Sequence, residues 1–188
     1  KTIYFFPAVM SPIIIGLIFN EIYYRALPAL GKATGISILS KSLVSDTRTA
    51  MWAILIANIW QAIAIPTVII IAGLQSISQE LYEVAAIDGA GWWKKFTSIT
   101  LPFLAPTLTI VLVLAVKDGF LVFDYILAIT GGGPAGTTNS IGTFIYQTAF
   151  ESFNYSYAVA NSVVLFVLIA LFGFLQIRMM GFMEAKES

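Results

Sequence analysis

The chain has 188 residues, 59% of them hydrophobic and 11% charged, with no cysteine, no histidine and a formal net charge of zero. Mean hydropathy is +0.88, and a soluble domain usually carries about a quarter charged residues, so the composition points to a membrane protein. The same composition excludes disulfides, thiolate chemistry and Cys/His metal sites, and it offers no basic surface for nucleic acid.

A membrane-crossing helix needs about 20 mostly apolar residues. The first such run is Ile3 to Tyr23, with Pro7 and Pro12 inside it. Proline is tolerated there when neighbours satisfy the freed carbonyls. The chain opens on Lys1 with no signal-peptide pattern, and a further N-terminal part is expected ahead of it. The polar connection from Tyr24 to Ala50 contains "LPALGKATG", which reads as a turn and a short surface helix. A phosphate loop is excluded, because positions 26 and 33 are both Ala.

The second run, Met51 to Leu74, carries Asn58 and Gln61. The third, Pro102 to Ile129, is interrupted by Lys117 and Asp118. Ionisable groups at bilayer depth are costly and by default face a bundle interior or an aqueous cavity. On one continuous helix Lys117 and Asp124 would share a face and could pair. The glycines of "TGGGPAGTTNS" match G-x-G-x-x-G, but without a strand–helix context the stretch is a loop. "FIYQTAFESFNYS" follows, an aromatic segment suited to a membrane interface. The fourth run, Tyr157 to Ile177, contains Asn161 and Ser162. Polar side chains in such runs serve as interhelical glue or as contacts along a solute path. Positive charge does not decide orientation: Arg25, Lys32, Lys41 and Arg48 stand against Lys1, Lys94, Lys95, Arg178 and Lys186.

The segment 75–101, "QSISQELYEVAAIDGAGWWKKFTSITL", is too polar to cross a bilayer. Ser76 or Ser78 is expected to cap a short helix with Glu80 in its first turn. That helix should stop at the turn dipeptide Asp88-Gly89. A second short helix should follow, with Trp92, Phe96 and Ile99 on one apolar face, ending at Leu101-Pro102. Two short helices with acids, aromatics and a glycine turn make a rigid amphipathic knob, suited to a groove on a partner.

The knob resembles the loop E-A-A-x3-G-x9-I-x-L-P of the inner-membrane permease subunits of binding-protein-dependent ABC importers. Glu83, Ala85, Gly89, Ile99, Leu101 and Pro102 fall at the matching spacings, with Val84 in place of the first Ala. "FDYILAITGGGP" and "YQTAF" resemble the carbohydrate-uptake branch, similar to the larger maltose permease and the glycerol-phosphate permease subunits. The resemblance covers Ile3 to Met180 and implies an all-α, polytopic helix bundle. About four of the usual six core helices are present, and the others are expected upstream of Lys1.

The resemblance also implies roles. Glu83, Ala85, Asp88, Gly89, Trp92, Trp93 and Phe96 would form a cytoplasmic contact with an ATPase subunit. Asn58, Gln61, Lys117, Asp118 and Gly119 would border the solute path. The maltose contacts of the family fall by alignment on a region that here includes Ala62, Ala115 and Val122 as well, and Lys117-Asp118 departs from its uncharged pattern. The partners implied are a second permease subunit, two ATPase subunits that hold ATP and magnesium, an extracytoplasmic solute-binding protein, and the bilayer of a bacterial or archaeal cytoplasmic membrane. The chain itself would carry no cofactor and no catalytic residue. The alternative is a secondary transporter using Lys117 and Asp118 as an ion or proton relay.

Overall fold

The computed structural model describes residues 2–120 and 122–187, with side chains described for 6–120 and 122–178. Among these residues the secondary structure is entirely helical. The chain begins with α1 (Thr2–Val9) and α2 (Pro12–Glu21), a π-helical turn over Ile22–Ala26, and α3 (Leu27–Thr34). Then come α4 (Ala50–Ala62), α5 (Ala64–Gln75), α6 (Gln79–Ile87) and α7 (Trp92–Lys95). A second π-helical turn, Phe96–Thr100, leads into α8 (Leu101–Phe120). After α9 (Asp124–Ile129) and α10 (Ile141–Tyr146), a third π-helical turn, Gln147–Glu151, precedes α11 (Tyr155–Glu187). Three continuous stretches are long and apolar enough to cross a membrane: Pro12–Thr34, Trp92–Phe120 and Tyr155–Arg178. A fourth results if Ala50–Ala62 and Ala64–Gln75 are taken as one broken span.

Two expectations are corrected. The run 102–129 is not one helix: α8 stops at Phe120, and Phe123, at φ −137° and ψ −56°, leaves helical geometry before α9 begins at Asp124. Lys117 and Asp124 therefore do not lie two turns apart on a continuous helix. Leu101-Pro102 is not a helix end either, since Trp92–Phe120 runs unbroken. Proline removes an i→i−4 donor and crowds the carbonyl one turn back. Here the ring follows directly on a π-helical turn, where that ladder is already displaced.

The structure has two compact units, Lys1–Ala64 with Asp118–Ile169, and Ile65–Lys117 with Ala170–Ser188. The first unit has a core of Ile15, Tyr23, Val44, Ala53, Ile54, Ala57, Tyr125, Ile126 and Ile129. Its helices α2 and α9 meet without a spacer, because Gly16 faces Ala128 at a distance where an added Cβ would stand 2.5 Å from the Ala128 Cβ. Small residues at such crossings let backbones approach where hydrophobic driving force is weak. Asn20 Nδ2 donates to the Ile129 carbonyl at 2.6 Å, and the Tyr23 hydroxyl donates to the Ala53 carbonyl at 2.9 Å. The connection after α3 folds back into this core through Val44, and Gly31 lies against the backbone of Leu39 and Ser40. The 130–154 connection is ordered by its own hydroxyls: buried Thr138 meets Thr130 at 2.8 Å, and Ser140 and Thr143 form a reciprocal cap on α10.

In the second unit α5 and α8 approach closely at Gly73, where an added Cβ would stand 2.7 Å from Thr107 Oγ1. The segment 75–101 projects from this helical base.

Candidate functional site

The segment between α5 and α8 is built by local rules. Ser78, in extended conformation, caps α6 by accepting from the Glu80 N–H at 3.3 Å, so Ser78 rather than Ser76 is the cap. Glu80 occupies the first turn, where the helix dipole favours a carboxylate. The helix ends at Ile87, and Gly89 takes a left-handed conformation at φ 73°. The Ala90 N–H then reaches back to the Ala85 carbonyl at 2.8 Å and the Gly89 N–H to the Ala86 carbonyl at 3.1 Å. These bonds close the helix end as a left-handed cap does.

Past the turn, Trp92 and Phe96 stack at 5.9 Å with their planes 13° apart, and Trp93 packs on Phe96 at 5.8 Å. The expected Trp92–Phe96–Ile99 face is cut short by the π-helical turn, which takes Ile99 out of α-helical phase. The second half of the knob is thus the first turn of the long helix Trp92–Phe120, not a separate surface helix. The two halves are joined by a hydrogen bond between the Tyr82 and Thr100 hydroxyls, 2.8 Å apart.

All seven residues named for this contact, Glu83, Ala85, Asp88, Gly89, Trp92, Trp93 and Phe96, lie on one continuous segment of the second unit. Glu83, Asp88 and Gly89 are exposed, Ala85 and Phe96 half-buried. Trp92 and Trp93 remain 75% and 65% exposed. Two further apolar side chains stand outward that were not named for the contact: Val84, and Ile87 at 86% exposure. They sit i, i+3 on the outer face of α6, opposite half-buried Tyr82 and Ala85. An apolar pair at that spacing beside two glutamates is the signal that marks them. Large apolar side chains held out on a capped, rigid turn are what a protein–protein contact uses.

The other named residues lie elsewhere. Asn58 and Gln61 share α4 in the first unit, and Asp118 and Gly119 open the second stretch of that unit. Lys117 closes the 65–117 stretch of the second unit. Asn58 and Gln61 are half-buried, whereas Lys117, Asp118 and Gly119 are exposed. The Gln61 amide is fully occupied as a donor, giving Nε2 bonds to the Pro7 carbonyl at 3.0 Å and the Met10 carbonyl at 2.7 Å. Its oxygen accepts from the Tyr125 hydroxyl. Pro7 lies in the last turn of α1 and Met10 in the break between α1 and α2. Among the described residues no group of three or more His, Cys, Asp or Glu could hold a metal ion.

A family model for binding-protein-dependent transport system inner membrane components matches residues 2–181. The chain belongs to that family. Within it, the chain is 42% identical over 176 residues to the multiple sugar-binding transport system permease protein MsmF of Streptococcus mutans, covering 94% of this chain and 61% of that protein. It is 43% identical over 143 residues to the trehalose/maltose transport system permease protein MalF of Thermococcus litoralis, covering 73% and 47%. The chain therefore spans less than two thirds of the length of these curated relatives. Its fold matches that of a bacterial alginate ABC transporter solved in complex with an alginate pentasaccharide-bound periplasmic protein. The TM-score is 0.84 at 23% identity, over 97% of this chain and 64% of that one. An inner membrane component with several membrane-length helices is a multi-pass membrane protein.

Proposed function

We propose that this chain is a transmembrane subunit of an ATP-driven importer that carries a sugar or related polyol across the cytoplasmic membrane. One observation carries the reading: the segment with the E-A-A spacing is a capped, rigid knob whose large apolar side chains Val84, Ile87, Trp92 and Trp93 face outward. In this reading Glu83, Ala85, Asp88, Gly89, Trp92, Trp93 and Phe96 seat in a cleft of an ATPase subunit, and Glu83 meets a basic group there. ATP and magnesium are held by two such subunits; this chain has no reaction of its own. A second permease subunit completes the path, and an extracytoplasmic solute-binding protein delivers the cargo to the connections 24–50 and 131–152. The sugar-transport names of MsmF and MalF support the cargo class.

Asn58, Gln61, Lys117, Asp118 and Gly119 border the path. Asp118 accepts from sugar hydroxyls, and Lys117 neutralises it or selects a cargo with an anionic group. The test is reconstitution of the full-length protein with its partner subunits in proteoliposomes, supplied with labelled maltose and trehalose. Uptake that needs both ATP and the binding protein is expected. Uptake by the chain without an ATPase subunit would overturn the reading in favour of secondary transport, with Lys117 and Asp118 as the relay.

A further inference from the structure

Gln61 makes more contacts of structural consequence than its place among the path residues suggests. Its two amide hydrogens go to the carbonyls of Pro7, in the last turn of α1, and of Met10, in the break before α2. The Pro7 carbonyl also accepts from the Met10 N–H at 3.2 Å, and the Met10 carbonyl, standing between the two helices, takes the shorter of the two Gln61 bonds. In a span, each such group left unsatisfied costs several kcal/mol, and a side chain from a neighbouring helix is one of the few remedies. The same amide accepts from Tyr125 in the first full turn of α9. At the other end of α9, Asn20 holds the Ile129 carbonyl, and Gly16 lets Ala128 press onto α2. Ahead of α9, the Ser140 hydroxyl donates to the Val122 carbonyl at 2.7 Å. One side chain on α4 thus fixes the α1–α2 break and the start of α9, the helix that follows α8, whose last turn carries Asp118 and Gly119.

Asn58 lies i−3 from Gln61 on the same face of α4. With both donors taken by backbone, Gln61 has no N–H to give a solute. We infer that Gln61 is a positioning residue and not a solute ligand: its amide clasps the α1–α2 break and α9 to α4, and so sets Asn58 against the Asp118 end of the path. The inference rests on the transport reading only for the word path; the clasp itself is a property of this fold.

The absence of cysteine permits a direct test. Spin labels on Asn58→Cys and Asp118→Cys in the full-length protein, reconstituted in nanodiscs with its partner subunits, report the separation by continuous-wave and pulsed electron paramagnetic resonance. A narrow distribution is expected, broadened several-fold by Gln61→Leu and also by Tyr125→Phe. The double variant should be no broader than Gln61→Leu alone, since the Tyr125 hydroxyl has already lost its acceptor. An unchanged distribution in Gln61→Leu overturns the clasp, as does broadening by Gln61→Leu but not by Tyr125→Phe. Where Gln61→Leu fails to insert, Gln61→Glu keeps the acceptor for Tyr125, loses both donations and should still broaden the distribution; an unchanged one overturns the clasp. Labelled trehalose and maltose uptake is measured in parallel on the unlabelled protein. Its absence would count against the transport reading and leave the resonance result to decide the clasp.

Discussion

The hydroxyl oxygens of Tyr82 and Thr100 stand 2.8 Å apart, and through them the outer helix of the knob is fastened to the π-helical turn at the base of the long helix. Nothing else that the side chains of α6 offer inward is polar: Ala85 lies beside Tyr82 on that face. A push on α6 therefore reaches Trp92–Phe120 by this bond and by the Asp88-Gly89 turn.

Loss of the bond should loosen the transmission without removing the docking surface. Tyr82→Phe costs about 1 kcal/mol, the net worth of a neutral hydrogen bond. ATPase binding is expected to persist, while solute-stimulated ATP hydrolysis falls relative to the basal rate. Thr100→Val should behave alike and the pair should not add. Full stimulation in Tyr82→Phe would show that the turn alone suffices.

Gly89 separates backbone from docking. Its φ of 73° disfavours a Cβ, but the space around that position is open. A left-handed conformation costs an L-residue about 1–2 kcal/mol, and Asn bears it better than a β-branched residue. Gly89→Asn should keep the melting temperature near that of the parent and still lose co-purification with the ATPase, because the new side chain stands where the partner seats. Gly89→Val should lose both. Co-purification retained by Gly89→Asn would place the contact elsewhere on the knob.

Gly16 is constrained by contact, not by torsion. A methyl there would meet the Ala128 Cβ at 2.5 Å. Overpacking of this kind costs about 1–3 kcal/mol. Gly16→Ala should lower the thermal midpoint in detergent, and adding Ala128→Gly should recover most of the loss. Absence of recovery in the double variant would show that the crossing is not what Gly16 serves.

Asp118→Asn keeps the size of the side chain and removes its charge. Uptake should fall roughly tenfold, the scale of losing a charged hydrogen bond of about 1.5–3 kcal/mol. ATPase co-purification should be unaffected. Normal uptake would return Lys117 and Asp118 to a structural role.

What the sequence disclosed follows from which forces are local. A serine cap, narrowed to Ser76 or Ser78, the Asp88-Gly89 turn and the hydropathy of the long runs depend on neighbours in the chain, and they read directly. The break at Phe123 did not, because an apolar stretch such as "FLVFDYIL" has the same hydropathy whether or not its helix continues. The π-helical turn over Phe96–Thr100 was equally hidden, since inserting a residue into the ladder leaves composition unchanged. Gln61 was visible as a polar residue in a span, but its partners Pro7, Met10 and Tyr125 lie 51 to 64 positions away, beyond any pattern in α4 itself. The contact of Gly16 with Ala128 is hidden for the same reason, since the two lie far apart in the chain.

The unbroken passage from Trp92 into α8 has a mechanical meaning. From Trp92 to Lys117 the helix extends roughly 38 Å at its usual rise, with no loop to absorb movement on the way. In the proposed coupling it is a lever driven at the end that carries the aromatic stack. A tilt of about 5° over that length would sweep the Lys117 end sideways by about 3 Å, close to one hydrogen-bond distance. Movement of that size is enough to make or break a contact with a hydroxyl, so rigidity near the knob becomes resolution at the far end.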